Sequence, residues 1–367
     1  MSFRFSAVAL CASILFTPAR ASPSAPGFRT GIAHGIETLQ TWYVWETGRW
    51  LTTGWWNAAN AVTVLVNYSR LRGSTRYLPV VENTYNVNAP GGFLNNAYDD
   101  EGWWALAWID AYDWTRNTDY LNMAQAIFSD MIGGWDDVCG GGIWWTKDRT
   151  YKNAIANELF LSVAAHLANR LTDPDEQAQA LAWAQSEWAW FSQSGMINRD
   201  NLINDGLTRD CQNNHQTTWT YNQGVILAGL VELYEQDQDA SEPDAAETIA
   251  SAVIVNLTDA SGILHETCEP TCSRDRVQFK GIFLRNLMAL NDSFPDERYV
   301  RFAVANAQSI WNEDRGPDYQ FGQVWSGPFD SATAGTQSSA LDALIAAAEM
   351  RTPLPTPGSS LAKDRPH

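Results

Sequence analysis

The sequence predicts an all-α protein, specifically an (α/α)6 barrel in which six helical hairpins close into a ring. Apolar residues recur with helical spacing throughout the 367-residue chain, and no segment alternates apolar and polar residues over a useful strand length. The sequence also contains a weak internal repeat. Thr75-Arg-Tyr-Leu78 resembles Thr118-Asp-Tyr-Leu121, and Glu297-Arg-Tyr-Val300 is similar to both. A period of roughly 45 to 60 residues indicates stacked helical hairpins.

Twelve segments have the apolar spacing of a helix. They are 31–47, 55–71, 75–84, 100–116, 118–132, 153–171, 175–193, 220–236, 243–256, 279–290, 296–311 and 333–351. An open superhelix is the structural alternative. The ring is favoured because the chain has one domain's worth of residues and no capping-repeat signature.

Asn, Gln, Trp, Tyr and charged residues are concentrated where the first helix of each later pair begins. These junctions are 54–60, 95–101, 151–157, 220–224, 278–281 and 332–337. Helix caps alone would explain polar residues at such positions. Six aromatic-plus-amide junctions in register exceed that need, so we expect one rim of the barrel to carry sugar-compatible side chains.

The chain begins with features of a secretory signal peptide. Arg4 gives a positive start, residues 7–16 form a short apolar run, and Ala19-Arg20-Ala21 has the form of a cleavage site. A buried N-terminal helix is the alternative. We therefore expect a signal peptide over 1–21, a catalytic domain over 22–352 and a polar tail over 353–367. The tail lacks the hydrophobic stretch that a GPI signal needs, so we expect a secreted, extracellular protein without a membrane anchor.

Cysteine usage agrees with export. Cys11 would leave with the signal peptide, and four cysteines remain: Cys139, Cys211, Cys268 and Cys272. An even number in an exported chain predicts disulfides. Three pairings are possible, and one of them would close a small local loop over 268–272. A zinc site is a weaker interpretation of the four cysteines because no histidine pair has ligand spacing nearby, so we expect no metal.

Three glycosylation sequons begin at Asn67, Asn256 and Asn291.

Charge and tryptophan content narrow the class of partner. The formal charge of −18 argues against nucleic acid, because phosphate binding needs clustered Lys and Arg, whereas a neutral polysaccharide is compatible with it. The chain has 18 tryptophans, whose flat faces suit stacking on sugar rings. For any single Trp, filling the core is the simpler interpretation.

Two adjacent carboxylates, Asp99 and Asp100, directly precede Gly102-Trp103-Trp104 and an apolar helix. Glycosidic cleavage usually needs two carboxyl groups, and splayed side chains on neighbouring α-carbons, about 3.8 Å apart, could reach the roughly 5–5.5 Å of retaining enzymes. The alternative is that Asp99 is a helix cap. A second pair, Asp136-Asp137, precedes a glycine-rich turn rather than such a helix and ranks lower.

Five ordered segments resemble glycoside hydrolase family 76 over roughly residues 30–350. They are Tyr98-Asp-Asp-Glu-Gly-Trp-Trp-Ala-Leu-Ala-Trp108, Cys139-Gly-Gly-Gly-Ile-Trp-Trp145, Lys152-Asn-Ala-Ile-Ala-Asn157, Thr220-Tyr-Asn-Gln-Gly224 and Phe279-Lys-Gly-Ile-Phe-Leu-Arg285. The resemblance implies an (α/α)6 barrel and a retaining endo-α-1,6-mannanase acting on mannan, with Asp99 as nucleophile and Asp100 as acid/base. We expect no cofactor and a monomer.

Three other functions stay open at this stage. One is a transglycosidase acting on mannose-containing GPI or cell-wall glycans, another a non-catalytic glycan-binding module, and the third a different (α/α)6 enzyme such as an unsaturated uronyl hydrolase. Sugars need several directed hydrogen bonds and aromatic faces. The residues expected to contact the sugar are Trp56, Asn60, Asn96, Trp103, Trp145, Lys152, Asn153, Asn157, Tyr221, Asn222, Gln223 and Lys280.

Overall fold

The structure is a computed structural model that describes residues 25–272 and 275–350. The predicted signal peptide at 1–21 and the tail at 353–367 lie outside the described residues. The α-helices are α1 (Ala25–Gln40), α2 (Trp55–Arg72), α3 (Leu78–Asn88), α4 (Tyr98–Thr115), α5 (Thr118–Ile132), α6 (Ala154–Ala168), α7 (Pro174–Phe191), α8 (Thr220–Asp237), α9 (Ser241–Asn256), α10 (Phe279–Ser293), α11 (Glu297–Glu313) and α12 (Ala334–Glu349). Two strands are β1 (Tyr43–Val44) and β2 (Arg49–Trp50). Short 3-10 turns cover Ala89–Gly91, Val138–Gly140, Arg276–Gln278 and Pro317–Tyr319.

The even-numbered helices form an inner ring and the odd-numbered helices surround it. Helices α6 and α12 are buried almost throughout their length, as expected of helices packed on every side. Outer helices such as α5 and α11 bury only a stripe of residues. The helical spacing that predicts twelve helices therefore reflects two kinds of helix, one apolar all round and one amphipathic.

The inner helices close into a ring. Each one packs against the next, and α12 returns to pack against α2, so the prediction of a barrel rather than an open superhelix is confirmed. Glycine permits the closest approaches. A Cβ at Gly281 of α10 would overlap the Ser339 carbonyl of α12, and one at Gly224 of α8 would crowd the backbone of Phe283.

The start of the chain differs from the prediction. A helix was expected over 31–47, but α1 ends at Gln40 and residues 43–50 form a small antiparallel hairpin. The Tyr43 hydroxyl lies 3.1 Å from the Val80 carbonyl, which it donates to, and Trp50 is buried in the core. Gly48 takes a φ of 63° in the turn, a conformation that suits glycine. These contacts outweigh the apolar spacing that suggested a continued helix.

Amide side chains near the starts of inner helices hold the preceding loops. Asn157 accepts from the Ile143 N–H at 2.7 Å and donates to its carbonyl at 3.0 Å. Gln223 likewise accepts from the Ile203 N–H at 2.7 Å and donates to the Ile203 carbonyl at 2.9 Å. Gln337 accepts similarly from a loop N–H. Each amide is the fourth residue of its helix, so these clamps repeat around the barrel and hold the loops against its rim.

Replacing Asn157 with Ala should destabilise the protein, because the buried N–H and C=O of Ile143 lose their partners. An unsatisfied buried group costs about 1–3 kcal/mol. The measurement is the free energy of unfolding in urea. Asn96→Ala is the matched control, because Asn96 is exposed, and it should change stability by less than about 0.5 kcal/mol. Equal urea unfolding midpoints for the two variants would contradict the stabilising role of the Asn157 hydrogen bonds to Ile143.

Candidate active site

The six polar junctions lie together at one end of the barrel. Each hairpin returns the chain to the same end, so every inner helix begins there. Hydrogen bonds between the loops connect neighbouring starts. The Tyr98 N–H donates to the Trp145 carbonyl at 2.9 Å, and the Ala154 N–H donates to the Asp205 carbonyl at 2.8 Å. Polar residues that are far apart in sequence are thereby brought together on one rim.

Asp99 and Asp100 are the second and third residues of α4. Neither is the helix cap, since the capping position is Ala97 and its N–H is bonded by Asn95 Oδ1 at 2.7 Å. Asn95 also donates through Nδ2 to Asp100 Oδ2 at 2.6 Å. Asp99 Oδ1 is buried and has no hydrogen-bond partner among the described residues. One carboxylate is therefore held in place by a neighbour, and the other has an oxygen available for a ligand.

Burial is the main influence on the protonation of this pair. Burial and, after it, the negative charge of Asp100 together raise the pKa of Asp99 to about 7, against the opposing effect of a hydrogen bond from the Trp145 side chain. Burial also raises the pKa of Asp100 to about 6, opposed by Asn95 and reinforced by Asp275. The helix start favours ionised carboxylates, but desolvation is the larger effect here. The pair therefore holds a proton at mildly acidic to neutral pH.

Glu101 is a structural neighbour of the pair. It is fully buried, lies 2.8 Å from Lys147 Nζ and accepts from the Asn95 N–H at 3.1 Å. Lys147 also lies 2.8 Å from Asp130 of α5. This partly exposed ion-pair network, in which only Glu101 is fully buried, ties the turn before α4 to the loop before α6 next to Asp99 and Asp100.

A layer of four aromatic rings crosses the barrel axis at the level of the first helical turns. Trp56 stacks on Trp103 with centroids 5.4 Å apart, and Tyr221 stacks on Phe279 at 3.7 Å. The remaining sides, Trp103 to Tyr221 and Trp56 to Phe279, are both 6.3 Å. Trp103 is only 2% exposed, so it belongs to the floor of the site rather than to its wall. The layer gives the carboxylates a desolvating base.

Several residues expected to contact sugar are placed near the carboxylates. Trp56, Trp103 and Tyr221 form part of the aromatic layer. Trp145 is 42% exposed and lies beside Asp99. Asn60 lies one turn deeper and accepts from Arg285, which also pairs with Asp342.

Two other residues expected to contact the sugar, Lys152 and Lys280, are buried and bind protein groups. Lys152 is buried, with Nζ 2.8 Å from Asp136 Oδ1 and 2.7 Å from the carbonyls of Val138 and Gly141. Lys280 pairs with Glu269 and donates to a loop carbonyl. Both lysines organise loops, which differs from the sugar-binding role that their sequence positions suggested.

The Asn and Gln side chains expected to contact the sugar also differ in their surroundings, because some of them bind the protein backbone and others do not. Asn157 and Gln223 are loop clamps, and Asn153 caps α6 by accepting from the Ala156 N–H. Asn96 is exposed and donates to Asp148 at 2.9 Å. Asn222 is fully buried, and neither atom of its amide has a partner in the part of the chain that the structure describes.

Asp205 is a candidate site residue that the sequence did not single out. Its carboxylate accepts from the Tyr151 hydroxyl at 2.5 Å and from Trp219 Nε1 at 3.1 Å, which places it between two aromatic residues on the rim. In the sequence it stands in Asn204-Asp205-Gly206, which reads as an ordinary turn. Phe279, in the aromatic layer, was likewise read only as an apolar helix residue.

All four cysteines that remain after the predicted cleavage are paired. The disulfides join Cys139 to Cys211 and Cys268 to Cys272, so the expectation of disulfides is confirmed and one of the three pairings is selected. Across residues 25–272 and 275–350, no group of three His, Cys, Asp or Glu residues is arranged to hold a metal ion. Over the same residues, no helix combines the length and hydrophobicity needed to cross a bilayer.

The profile of Glycosyl hydrolase family 76 matches residues 37–357. The chain belongs to this family. Mannan endo-1,6-alpha-mannosidase DFG5 of Candida albicans is 28% identical over 328 residues, covering 80% of this chain and 72% of that protein. DCW1 of the same organism is 28% identical over 262 residues, covering 64% and 57%. The chain spans 60% and 57% of the length of two relatives from Schizosaccharomyces pombe.

Solved structures of the family share the fold. The alpha-1,6-mannanase GH76A of Salegentibacter sp. superposes with a TM-score of 0.79 at 22% identity, over 88% of this chain and 99% of that one. The Lin0763 protein of Listeria innocua superposes with a TM-score of 0.77 at 25% identity, over 88% and 97%. The twelve-helix barrel is therefore the architecture of the family.

The raised pKa of Asp99 predicts that this residue lowers stability at neutral pH. A carboxyl whose pKa rises on folding stabilises the folded state while it is protonated, and this contribution is lost between about pH 4 and pH 7. Asp99→Asn should therefore have a free energy of unfolding higher than that of the wild type at pH 8, by on the order of a few kcal/mol, and similar to it at pH 4, as measured by urea unfolding at the two pH values. Asp137→Asn, on an exposed residue, should show no such pH dependence. A less stable Asp99→Asn variant at pH 8 would refute this reading.

Proposed function

We propose that this protein is a secreted, endo-acting, retaining glycoside hydrolase that cleaves α-1,6-mannosidic linkages in mannan. The observation that carries the proposal is a pair of adjacent carboxyl groups in a desolvated, aromatic-floored site of a family 76 chain. The relatives with which it aligns are named mannan endo-1,6-alpha-mannosidase. The Salegentibacter structure is an inactive variant with two consecutive aspartates replaced by alanine, in complex with alpha-1,6-mannotetrose.

The two carboxyl groups take the two roles of a double displacement. Asp100 donates a proton to the glycosidic oxygen while Asp99 attacks the anomeric carbon and forms a glycosyl-enzyme. Asp100 then removes a proton from water, which attacks the same carbon and releases Asp99. Two features support these roles: Asn95 holds Asp100 in place, and a buried oxygen of Asp99 lacks a protein partner. The assignment of nucleophile and acid/base follows the family resemblance.

Without a substrate, the proton is favoured on a different carboxyl group from the one that must donate it in the reaction. Burial favours the proton on the deeper carboxyl, Asp99, whereas the reaction begins with the proton on Asp100. A bound sugar would cover Asp100 from solvent and so raise its pKa, while the positive charge that develops on the sugar ring stabilises ionised Asp99. Substrate binding would therefore move the shared proton into its reactive position, and activity should be confined to a pH range in which the pair carries one proton.

The surroundings favour a neutral sugar over a charged one. The lysines near this rim are already engaged: Lys147 with Glu101, Lys152 with Asp136, and Lys280 with Glu269. A uronyl hydrolase would need cationic groups available for the uronate carboxylate, and these three lysines do not provide them. A purely glycan-binding module would not need two desolvated carboxyl groups.

The test is incubation with unbranched α-1,6-mannan followed by sizing of the products. We expect a ladder of oligosaccharides, as internal cleavage produces, and a loss of at least about 100-fold in turnover for Asp99→Asn and for Asp100→Asn. Asp137→Asn is the matched control and should keep activity. Asp136→Asn is unsuitable as a control because Asp136 holds Lys152.

Two outcomes would contradict the proposal: release of mannose alone by the wild type, or near-normal turnover by Asp99→Asn. A parallel reaction with added mannobiose separates hydrolysis from transglycosylation, because transfer to the acceptor would give products longer than those of water attack.

A further inference from the structure

A cavity on the same rim as the carboxylate pair is lined by neither Asp99 nor Asp100. Its volume is about 640 Å³, and it opens between loop 133–153, which precedes α6, and loop 192–219, which precedes α8. Both loops belong to the same end of the barrel as Asp99 and Asp100. The volume is within the ~300–1,000 Å³ typical of sites for small ligands. We call it the side pocket.

A continuous row of side chains leads from the carboxylates to the side pocket. Trp145 lies beside Asp99, and its ring meets the edge of Tyr151 with centroids 6.2 Å apart at 88°. The Tyr151 hydroxyl donates to Asp205, whose other oxygen accepts from Trp219. Tyr151 and Asp205 both line the side pocket. A glycan that extends from the carboxylates past Trp145 towards Tyr151 would reach the entrance of the side pocket.

The chemistry of the side-pocket wall suits a polyhydroxylated ligand. Each oxygen of the Asp205 carboxylate uses one lone pair for a protein donor, which leaves capacity to accept from sugar hydroxyls. Trp144 supplies an aromatic surface. Thr150, Arg209 and Gln216 are exposed and line the pocket, and within the described residues none of the three has a side-chain hydrogen bond.

Most charges around the side pocket are already neutralised. Asp136 pairs with Lys152 at 2.8 Å and with Arg149 at 3.2 Å. Asp205 is bonded to two neutral donors, Tyr151 and Trp219. A neutral ligand can therefore bind without leaving a buried charge uncompensated, which favours an uncharged sugar.

The side pocket is formed in advance of binding. The Cys139–Cys211 disulfide joins its two loops across 72 residues of sequence, and the buried Lys152 gathers carbonyl groups of the first loop around its ammonium group. The side chain of Asn214, in the second loop, donates to the Tyr151 hydroxyl at 2.8 Å. Walls that are already ordered lose little entropy on binding, which favours affinity.

We propose that the side pocket binds a mannosyl unit of the bound glycan other than the two joined by the scissile linkage, and so contributes to substrate selection. This inference rests on the proposed function. The unit can come from the continuing α-1,6 backbone or from a side branch, and the two sources share the same chemistry.

The test measures binding by calorimetry to the Asp100→Asn protein, in which cleavage is suppressed. The ligands are linear α-1,6-mannotetraose and the same backbone carrying one α-mannosyl branch. Thr150→Trp fills the entrance of the side pocket, and Arg209→Ala combined with Gln216→Ala removes hydrogen-bonding groups without adding bulk. Thr172→Trp, on the exposed connection between α6 and α7 at the opposite end of the barrel, is the matched control.

We expect the pocket variants to weaken binding about tenfold while Thr172→Trp leaves it unchanged. Weaker binding of both ligands would assign the pocket to a backbone unit, and weaker binding of the branched ligand alone would assign it to a branch. Unchanged affinity for both ligands in both pocket variants would overturn the inference. That result is distinct from failure of the proposed function, in which the wild type would not cleave linear α-1,6-mannan at all.

Discussion

The closure of the inner helices into a ring is the constraint on which the rest of the molecule depends. Helix α12 can pack against α2 only if the six inner helices have nearly equal lengths and run in one direction, and close approaches such as that at Gly281 require glycine. All six helix starts then face the same end of the barrel. The loops that lead into them meet there, and with them the carboxylates, aromatic rings and amides of the candidate site.

Burial of charge raises the pKa values of the carboxyl groups at this end of the barrel and opposes folding at neutral pH. Burial keeps water away from Asp99 and Asp100, so the pair retains a proton at a pH where exposed aspartates are ionised. A proton donor and an anionic nucleophile can therefore come from two residues of the same type. The ion pair of the buried Glu101 with Lys147 joins the start of α4 to the loop before α6.

The fold and the central pair could be predicted from the sequence because both depend on local patterns. Helical spacing marks the helices of the barrel, and Asp99 and Asp100 stand at the start of one of them. The roles of Asn157 and Gln223 were not predictable in this way, because a loop clamp and a sugar ligand look identical at a helix start. The clamped residues, Ile143 and Ile203, are 14 and 20 positions away in sequence and carry no signal of their own.

The central claim is that Asp99 is the nucleophile and Asp100 the acid/base, and an azide-rescue experiment tests it most directly. An α-mannoside with a dinitrophenyl leaving group needs no proton donor, so Asp100→Asn should still form the glycosyl-enzyme, and added azide should attack it in place of activated water. The account predicts α-mannosyl azide, with retained configuration, from Asp100→Asn and none from Asp99→Asn. Formation of α-mannosyl azide by Asp99→Asn, with none from Asp100→Asn, would contradict it.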